Sequence, residues 1–290
     1  MASSSNTVFI AGGSGFLGST LNEYLTNTGY SVEILPRDIY QKNPEKLAEI
    51  INASYAVINL AGASISKRWT KKYKAELKYS RIQSTQTIVA AIEMAEIKPK
   101  VLLSASATGI YSESDESHHE SSNSFADDFL GQLAQEWENE ALKASKHTKV
   151  RIIRLGVILG KNGGMVKKLK PLFKWMLGGR MGSGKQAFAY VHTEDVCRAC
   201  VHILKSESDQ KLYNIVAPEL TDNKTFTKTF AKACNRKALF IIPSFALKLF
   251  LGEGSIIILS GQKVVPAALQ KEGFTFRYPD ISSVLANICK

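Results

Sequence analysis

The chain has 290 residues, 44% of them hydrophobic, with 37 Lys and Arg against 26 Asp and Glu and a formal net charge of +11. This length and composition fit one large α/β domain with an appended lobe and exclude a disordered chain. No apolar run approaches the roughly 18 residues that a membrane span requires, so no membrane partner is expected.

Met1-Ala2-Ser3-Ser4-Ser5-Asn6 contains no basic stretch and no separate apolar core. No signal or transit segment is read there, and a cytoplasmic location is expected. The next residues, Thr7-Val8-Phe9-Ile10-Ala11-Gly12-Gly13-Ser14-Gly15-Phe16-Leu17-Gly18, take an apolar strand straight into Gly-x-x-Gly-x-x-Gly, and Leu21, Tyr24 and Leu25 continue as a helix. Gly12 suits the tight turn, Gly15 a close approach of backbone to a pyrophosphate, and Gly18 tight packing of helix on strand. Free N–H groups and the dipole at the helix start favour the phosphates. A glycine turn without a ligand is the alternative.

A second strand is predicted at 31–35, ending in Pro36-Arg37 about twenty residues beyond the glycine loop. An acid at that place would accept the ribose hydroxyls of NAD, whereas a guanidinium pairs with a 2′-phosphate. NADP(H) is therefore favoured over NAD(H). Asp38, one position later, keeps the other option open, and a solvated arginine is the plain alternative. Residues 44–51 read as a helix, 56–62 as a strand with its terminal loop, 71–95 as a long helix and 101–104 as a buried strand. Residues 112–124 are polar and acidic, with His118 and His119, and read as a surface loop; 125–144 reads as a helix and 150–155 as a strand. The alternation predicts a Rossmann-like, doubly wound parallel sheet with helices on both faces. Gly12–Gly18, Arg37, Asn59-Leu60-Ala61-Gly62, Ser104 to Tyr111 and Gly156 to Gly160 all fall at the carboxyl ends of strands, where such sheets bind ligands.

The second half alternates less regularly. Residues 178–184 read as a glycine-rich turn, 190–192 as a strand running into a helix that Glu194 or Asp195 should cap, and 212–216 as a further strand. A capped helix follows at 225–234, and residues 243–251, 262–269 and 273–278 form a small C-terminal lobe. Of the four cysteines, Cys197 and Cys200 have the spacing of half a zinc site but lack a second ligand pair, so no metal is expected. The positive charge suits phosphorylated ligands. No nucleic-acid module is readable, and nucleic acid is not expected as a partner.

The pattern resembles the extended short-chain dehydrogenase/reductase superfamily. Within it, the chain resembles an atypical branch, the epimerase family proteins of short-chain dehydrogenase/reductase family 39U. The matching residues include the glycine loop, Asn59-Leu60-Ala61-Gly62, Ser80-Arg81 with Thr85, and Trp137-Glu138. Arg154-Leu155-Gly156-Val157-Ile158-Leu159-Gly160, Gly182-Ser183-Gly184-Lys185-Gln186, Ala217-Pro218 and Gly261-Gln262-Lys263-Val264-Val265-Pro266 follow in the same order. The resemblance implies an NADP-binding epimerase-like Rossmann domain over 7–239, with part of a substrate lobe inserted after about 160, and a family-specific segment over 240–290. It further implies cofactor contacts at Pro36, Arg37, Leu60, Ala61, Glu76, Arg81 and Val157, beside Gly12, Gly15, Phe16, Leu17 and Gly18 of the loop.

Active relatives carry Tyr-x-x-x-Lys beside a Ser or Thr, and the tyrosine moves the substrate proton. Ser106, within Ser104-Ala105-Ser106-Ala107, matches the serine and is the expected catalytic hydroxyl, with Ser104 next. The helix that should carry the pair has no tyrosine and no lysine; aligned on Glu138, its two positions hold Leu130 and Ala134. Tyr111, His118, His119, Asp127 and Asp128 are other proton carriers by chemistry alone. Two functional classes follow. One is an oxidoreductase of unknown small-molecule substrate with nonstandard proton transfer. The other is a catalytically weak NADP(H) sensor or interaction module. A basic RNA-associated protein is a distant third. A homodimer is allowed by analogy, although no apolar stripe in the sequence demands one.

Overall fold

Alternating strand and helix signals become β1 (Thr7–Ala11), α1 (Phe16–Asn27), β2 (Ser31–Ile34), α2 (Arg37–Lys42), α3 (Pro44–Ile51), β3 (Ala56–Asn59), α4 (Lys71–Met94), β4 (Val101–Ala107), α5 (Phe129–Leu142) and β5 (Lys149–Leu155). The structure is a computed structural model describing residues 6–161, 163–175, 178–238 and 240–289. Residues 1–5, residue 239 at the expected domain border, and residue 290 lie outside the described residues. The second half supplies β6 (Val157–Gly160), α6 (Gly164–Lys174), β7 (Gly179–Met181), β8 (Tyr190–His192), α7 (Thr193–Lys205), β9 (Leu212–Ile215) and α8 (Asn223–Ala233). The C-terminal segment adds β10 (Phe240–Ile242), α9 (Ser244–Leu251), α10 (Ile256–Leu259), α11 (Ala267–Lys271) and α12 (Ile281–Cys289).

The main sheet is six-stranded and parallel, in the order β2-β1-β3-β4-β5-β9. Successive side chains point to opposite faces, and the core divides accordingly. Val8, Ile10, Ile58, Leu103 and Ala105 join the cluster that contains Leu21 and Leu25 of α1 and Val196, Cys197 and Cys200 of α7. Phe9, Val57, Leu102 and Ile152 join Ile39, Leu47, Ile51, Ile88 and Ile92 of α2, α3 and α4. The chain leaves β1 for β2 on one side and returns to β3 on the other. The strand order therefore reverses between β1 and β3, which opens the crevice where such sheets receive ligands.

Helix starts follow local chemistry. The side chains of Asn43, Thr70, Asp128 and Asp222 each accept a first-turn backbone N–H. The Asp128 cap explains why α5 begins at Phe129 rather than at residue 125, since Phe125 instead bridges antiparallel to Tyr111. The cap of α7 is also a correction. It is the His192 ring that accepts the Glu194 N–H, at 3.1 Å, while Asp195 turns to the C-terminal segment. Two short parallel sheets complete the lobe: β6 with β8, and β10 with β7. The stretch after β6 and the C-terminal segment are thus built into each other. Among the described residues no helix is long and apolar enough to cross a membrane.

Candidate functional site

At the end of β1, Gly12 adopts a φ of +81°, and a Cβ there would lie 2.7 Å from the carbonyl oxygen of Leu60. Only glycine lets the two strand ends approach so closely. A Cβ on Gly18 would fall inside hard contact with the Gly12 carbonyl, so α1 seats directly on the loop. Gly15 precedes α1 without any side-chain cap, and no acid stands in the first turn. The orphan N–H groups at this start, among them those of Phe16 and Leu17, suit an anion. The Phe16 ring itself packs over Gly160 and Gly163, tying α1 to the end of β6.

The end of β2 differs slightly from expectation. Leu35 lies past the strand, Pro36 precedes a helix that the sequence did not announce, and Arg37 is the first residue of that helix. Arg37 is exposed and makes no ion pair among the described residues. Asp38 sits in the first turn of α2, where a carboxylate complements the helix dipole. That gives Asp38 a local task and leaves Arg37 open to a ligand.

At the end of β3, buried Asn59 donates to Thr85 Oγ1 at 2.8 Å and accepts from the Ala61 N–H at 3.2 Å, which fixes the turn at Leu60 and Ala61. Trp137 Nε1 donates to the same Thr85 oxygen at 2.9 Å. Arg81 reaches back to this loop, donating to Leu77 O at 3.1 Å and Ala63 O at 3.2 Å, with its guanidinium 5.2 Å from the Trp137 ring centre. No carboxylate pairs with it among the described residues. Burial pushes its pKa down to about 10, still well above neutrality. Glu76 is five residues earlier, about 140° around the helix, and exposed. The fold therefore sets Glu76 and Arg81 on different faces of α4. Val157 is half-buried at the start of β6, and its N–H donates to Ala189 O at 2.8 Å.

The end of β4 departs most from expectation. Ser106, the expected catalytic hydroxyl, is 2% exposed and donates to Glu138 Oε1 at 2.6 Å. Glu138 in turn receives Arg154 Nε at 2.8 Å and Nη2 at 2.7 Å. Arg154 Nη1 donates to Tyr111 Oη at 2.8 Å, and Tyr111 donates to Asn214 Oδ1 at 2.9 Å. Tyr111 has no exposed surface, and burial pushes its pKa up, so it holds its proton. Ser106 and Tyr111 thus belong to a sealed polar network beneath the crevice. Ser104 is also buried, and its Oγ has no hydrogen-bond partner among the described residues. Leu130 is half-buried beside Gly109 and Ala134 is buried, and neither side chain can transfer a proton.

The segment 112–124 is less superficial than its composition suggests. His118 stacks on Tyr111 at 4.8 Å and is buried. Glu120 is buried too, accepting the N–H groups of Asn214 at 2.9 Å and Ala268 at 3.2 Å. These contacts come from β9 and the C-terminal segment, far along the chain, so no local pattern announced them. His119, within the expected surface loop, is exposed, and so is Asp127. Cys197 and Cys200 lie in the core, where burial pushes the Cys197 thiol up to about 12.

Residues 8–216 match the NAD dependent epimerase/dehydratase family, and residues 242–288 match a domain of unknown function, DUF1731. The epimerase family protein SDR39U1 homolog, chloroplastic, of Arabidopsis thaliana is 35% identical over 97% of this chain and 86% of its own length. The epimerase family protein SSP1921 of Staphylococcus saprophyticus is 34% identical over 96% of this chain and 98% of its own. Among solved structures, human epimerase family protein SDR39U1 (isoform 2), crystallised with NADPH, superposes with a TM-score of 0.91 at 30% identity. It covers 98% of this chain and 99% of the human one. A nucleoside-diphosphate sugar epimerase from Corynebacterium glutamicum follows with a TM-score of 0.79 at 26% identity, 98% of this chain aligning with 58% of that one.

Proposed function

This chain belongs to the NAD dependent epimerase/dehydratase family, and from that premise we propose that it is an NADP(H)-binding, epimerase-like oxidoreductase acting on a small molecule. The observation that carries the reading is the uncapped start of α1, set against the Leu60 turn at the strand-order reversal, with Arg37 free at the end of β2. The similar human protein, crystallised with NADPH, supports the same cofactor.

The residues present fit the group. In this reading the N–H groups around Gly15, Phe16, Leu17 and Gly18 hold the pyrophosphate, and Arg37, beside Pro36, holds the 2′-phosphate. Leu60 and Ala61 line the adenosine side, and Arg81 and Val157 flank the inner end. Glu76, exposed on α4, reaches the cofactor only from the rim. A bound dinucleotide supplies hydride chemistry. The chain supplies placement and exclusion of water.

Proton movement is not assigned to the usual positions, because Leu130 and Ala134 carry no titratable group. Ser106 positions Glu138 within the buried network and no reacting group. Its burial favours a second reading, that of a catalytically weak NADP(H) sensor.

Calorimetric titration tests the cofactor. NADPH should bind more tightly than NADH, and Arg37→Ala should erase most of the difference. Equal affinities that do not change in the variant would exclude the assignment. Incubating the protein with 4-deuterated NADPH and a metabolite extract separates the two readings. Label in a product supports the oxidoreductase, and unlabelled extracts together with retained NADPH affinity support the sensor.

A further inference from the structure

We propose that the face built from α6, β7, β10 and α9 docks peripherally on an anionic phospholipid surface. Two stretches of sequence lack acids entirely. Residues 160–193 carry seven Lys or Arg and no Asp or Glu, and residues 223–252 carry six and none. The fold brings these stretches together. β10 pairs with β7, Arg236 Nε donates to Lys174 O at 3.2 Å, and the Lys224 N–H donates to Gly184 O at 2.9 Å. The acids at the border are engaged: Asp222 caps α8, and Glu253 pairs with Lys74 at 2.5 Å.

The joined elements also expose apolar side chains where a globular surface is usually polar. α9 buries none of its residues. Phe245, Leu249 and Phe250 are 73%, 69% and 74% exposed, and Trp175, at the end of α6, is 79% exposed. Phe245, Lys248 and Leu249 share one side of α9 by their spacing of three and four. Lys161, Lys167, Lys170 and Lys174 line an open groove with Pro171 and Trp175. Exposed Phe, Leu and Trp bordered by lysines fit the headgroup–acyl boundary of an anionic bilayer: the rings enter the boundary while the long cationic side chains reach the phosphates. The absence of a spanning segment is no obstacle, since a helix lying in the interface does not cross it.

Charge argues against two other occupants. A two-fold dimer through this face would set one acid-free surface against another. Single-stranded nucleic acid prefers successive aromatic rings along a positively charged groove, whereas Trp175 is the one aromatic among the described residues lining this groove, and Phe245 and Phe250 stand on α9.

Flotation of the full chain with phosphatidylcholine vesicles, with and without phosphatidylserine, tests the proposal. The wild type should float with the phosphatidylserine vesicles only, and release should follow added salt. Lys170→Glu with Lys174→Glu should weaken binding at least about tenfold, and Phe245→Ser with Phe250→Ser should abolish flotation. Circular dichroism and melting curves verify the fold. Should either pair unfold, the single variants Lys174→Glu and Phe250→Ser carry the comparison. The proposal is overturned if the wild type does not float or if both sets of variants float like it. It is equally overturned if sedimentation finds a dimer that Phe245→Ser with Phe250→Ser splits, or if a single-stranded RNA binds this face and vesicles do not.

Discussion

Glu138 and Arg154 meet in a buried fork, joined by two hydrogen bonds of 2.8 and 2.7 Å, with side chains 6% and 3% exposed. Each needs the other, because a charge left alone in that site would lose both its solvation and its partner. Glu138→Gln should therefore destabilise the fold by about 3–5 kcal/mol, read from urea unfolding midpoints. A loss below 1 kcal/mol would mean that water reaches the site.

Ser106→Ala separates positioning from proton transfer. The variant removes one hydrogen bond to Glu138, at a cost of about 1–2 kcal/mol. NADPH affinity should stay at the wild-type level, and so should any hydride transfer detected with labelled cofactor. A large fall in transfer with unchanged stability would restore Ser106 as the reacting hydroxyl.

Gly18→Ala tests the loop. The added methyl meets the Gly12 carbonyl and must push α1 away from it. Overpacking of this kind costs about 1–3 kcal/mol. Both the melting temperature and NADPH affinity should fall, with affinity more affected, because the N–H groups of the first turn move with the helix. Unchanged titration curves would place the phosphates elsewhere.

His192 predicts an acid limit. Burial lowers its pKa below the ordinary imidazole value, and its neutral Nδ1 accepts the Glu194 N–H. A folded pKa below the unfolded one means that the unfolded chain binds the proton more readily. The stabilisation is therefore complete above the unfolded value of about 6.5 and is lost as pH falls through the folded value. Urea midpoints should drop as pH falls below about 6.5, and His192→Asn, which keeps a cap without a titrating group, should flatten the drop.

What could be read from the chain was local. The tasks of Gly12 and Gly18 depend on neighbours a few residues away, and the observed φ and contacts agree with them. The parallel sheet followed from alternation alone. The fork between Glu138 and Arg154 was invisible because it depends on the register that sets Ser106 opposite Arg154 on adjacent strands. Glu120 and His118 looked solvated, yet the C-terminal segment covers them through Ala268 and through Val264, which bridges to His118. α9 is the reverse case: the sequence assigns this run rich in Phe and Leu to the C-terminal lobe, and the fold buries none of its residues.

Asp195 has no exposed surface and accepts three hydrogen bonds. One comes from Arg198 at 2.8 Å and two from the N–H groups of Arg277 and Tyr278, at 2.9 and 2.8 Å. The last two donors lie within the 242–288 match, while the carboxylate lies within the 8–216 match. A chain cut between the two matches would leave this buried carboxylate with Arg198 but without its two backbone N–H donors. The two halves should therefore melt as one body, and the boundary that family comparison draws between them crosses a shared buried carboxylate.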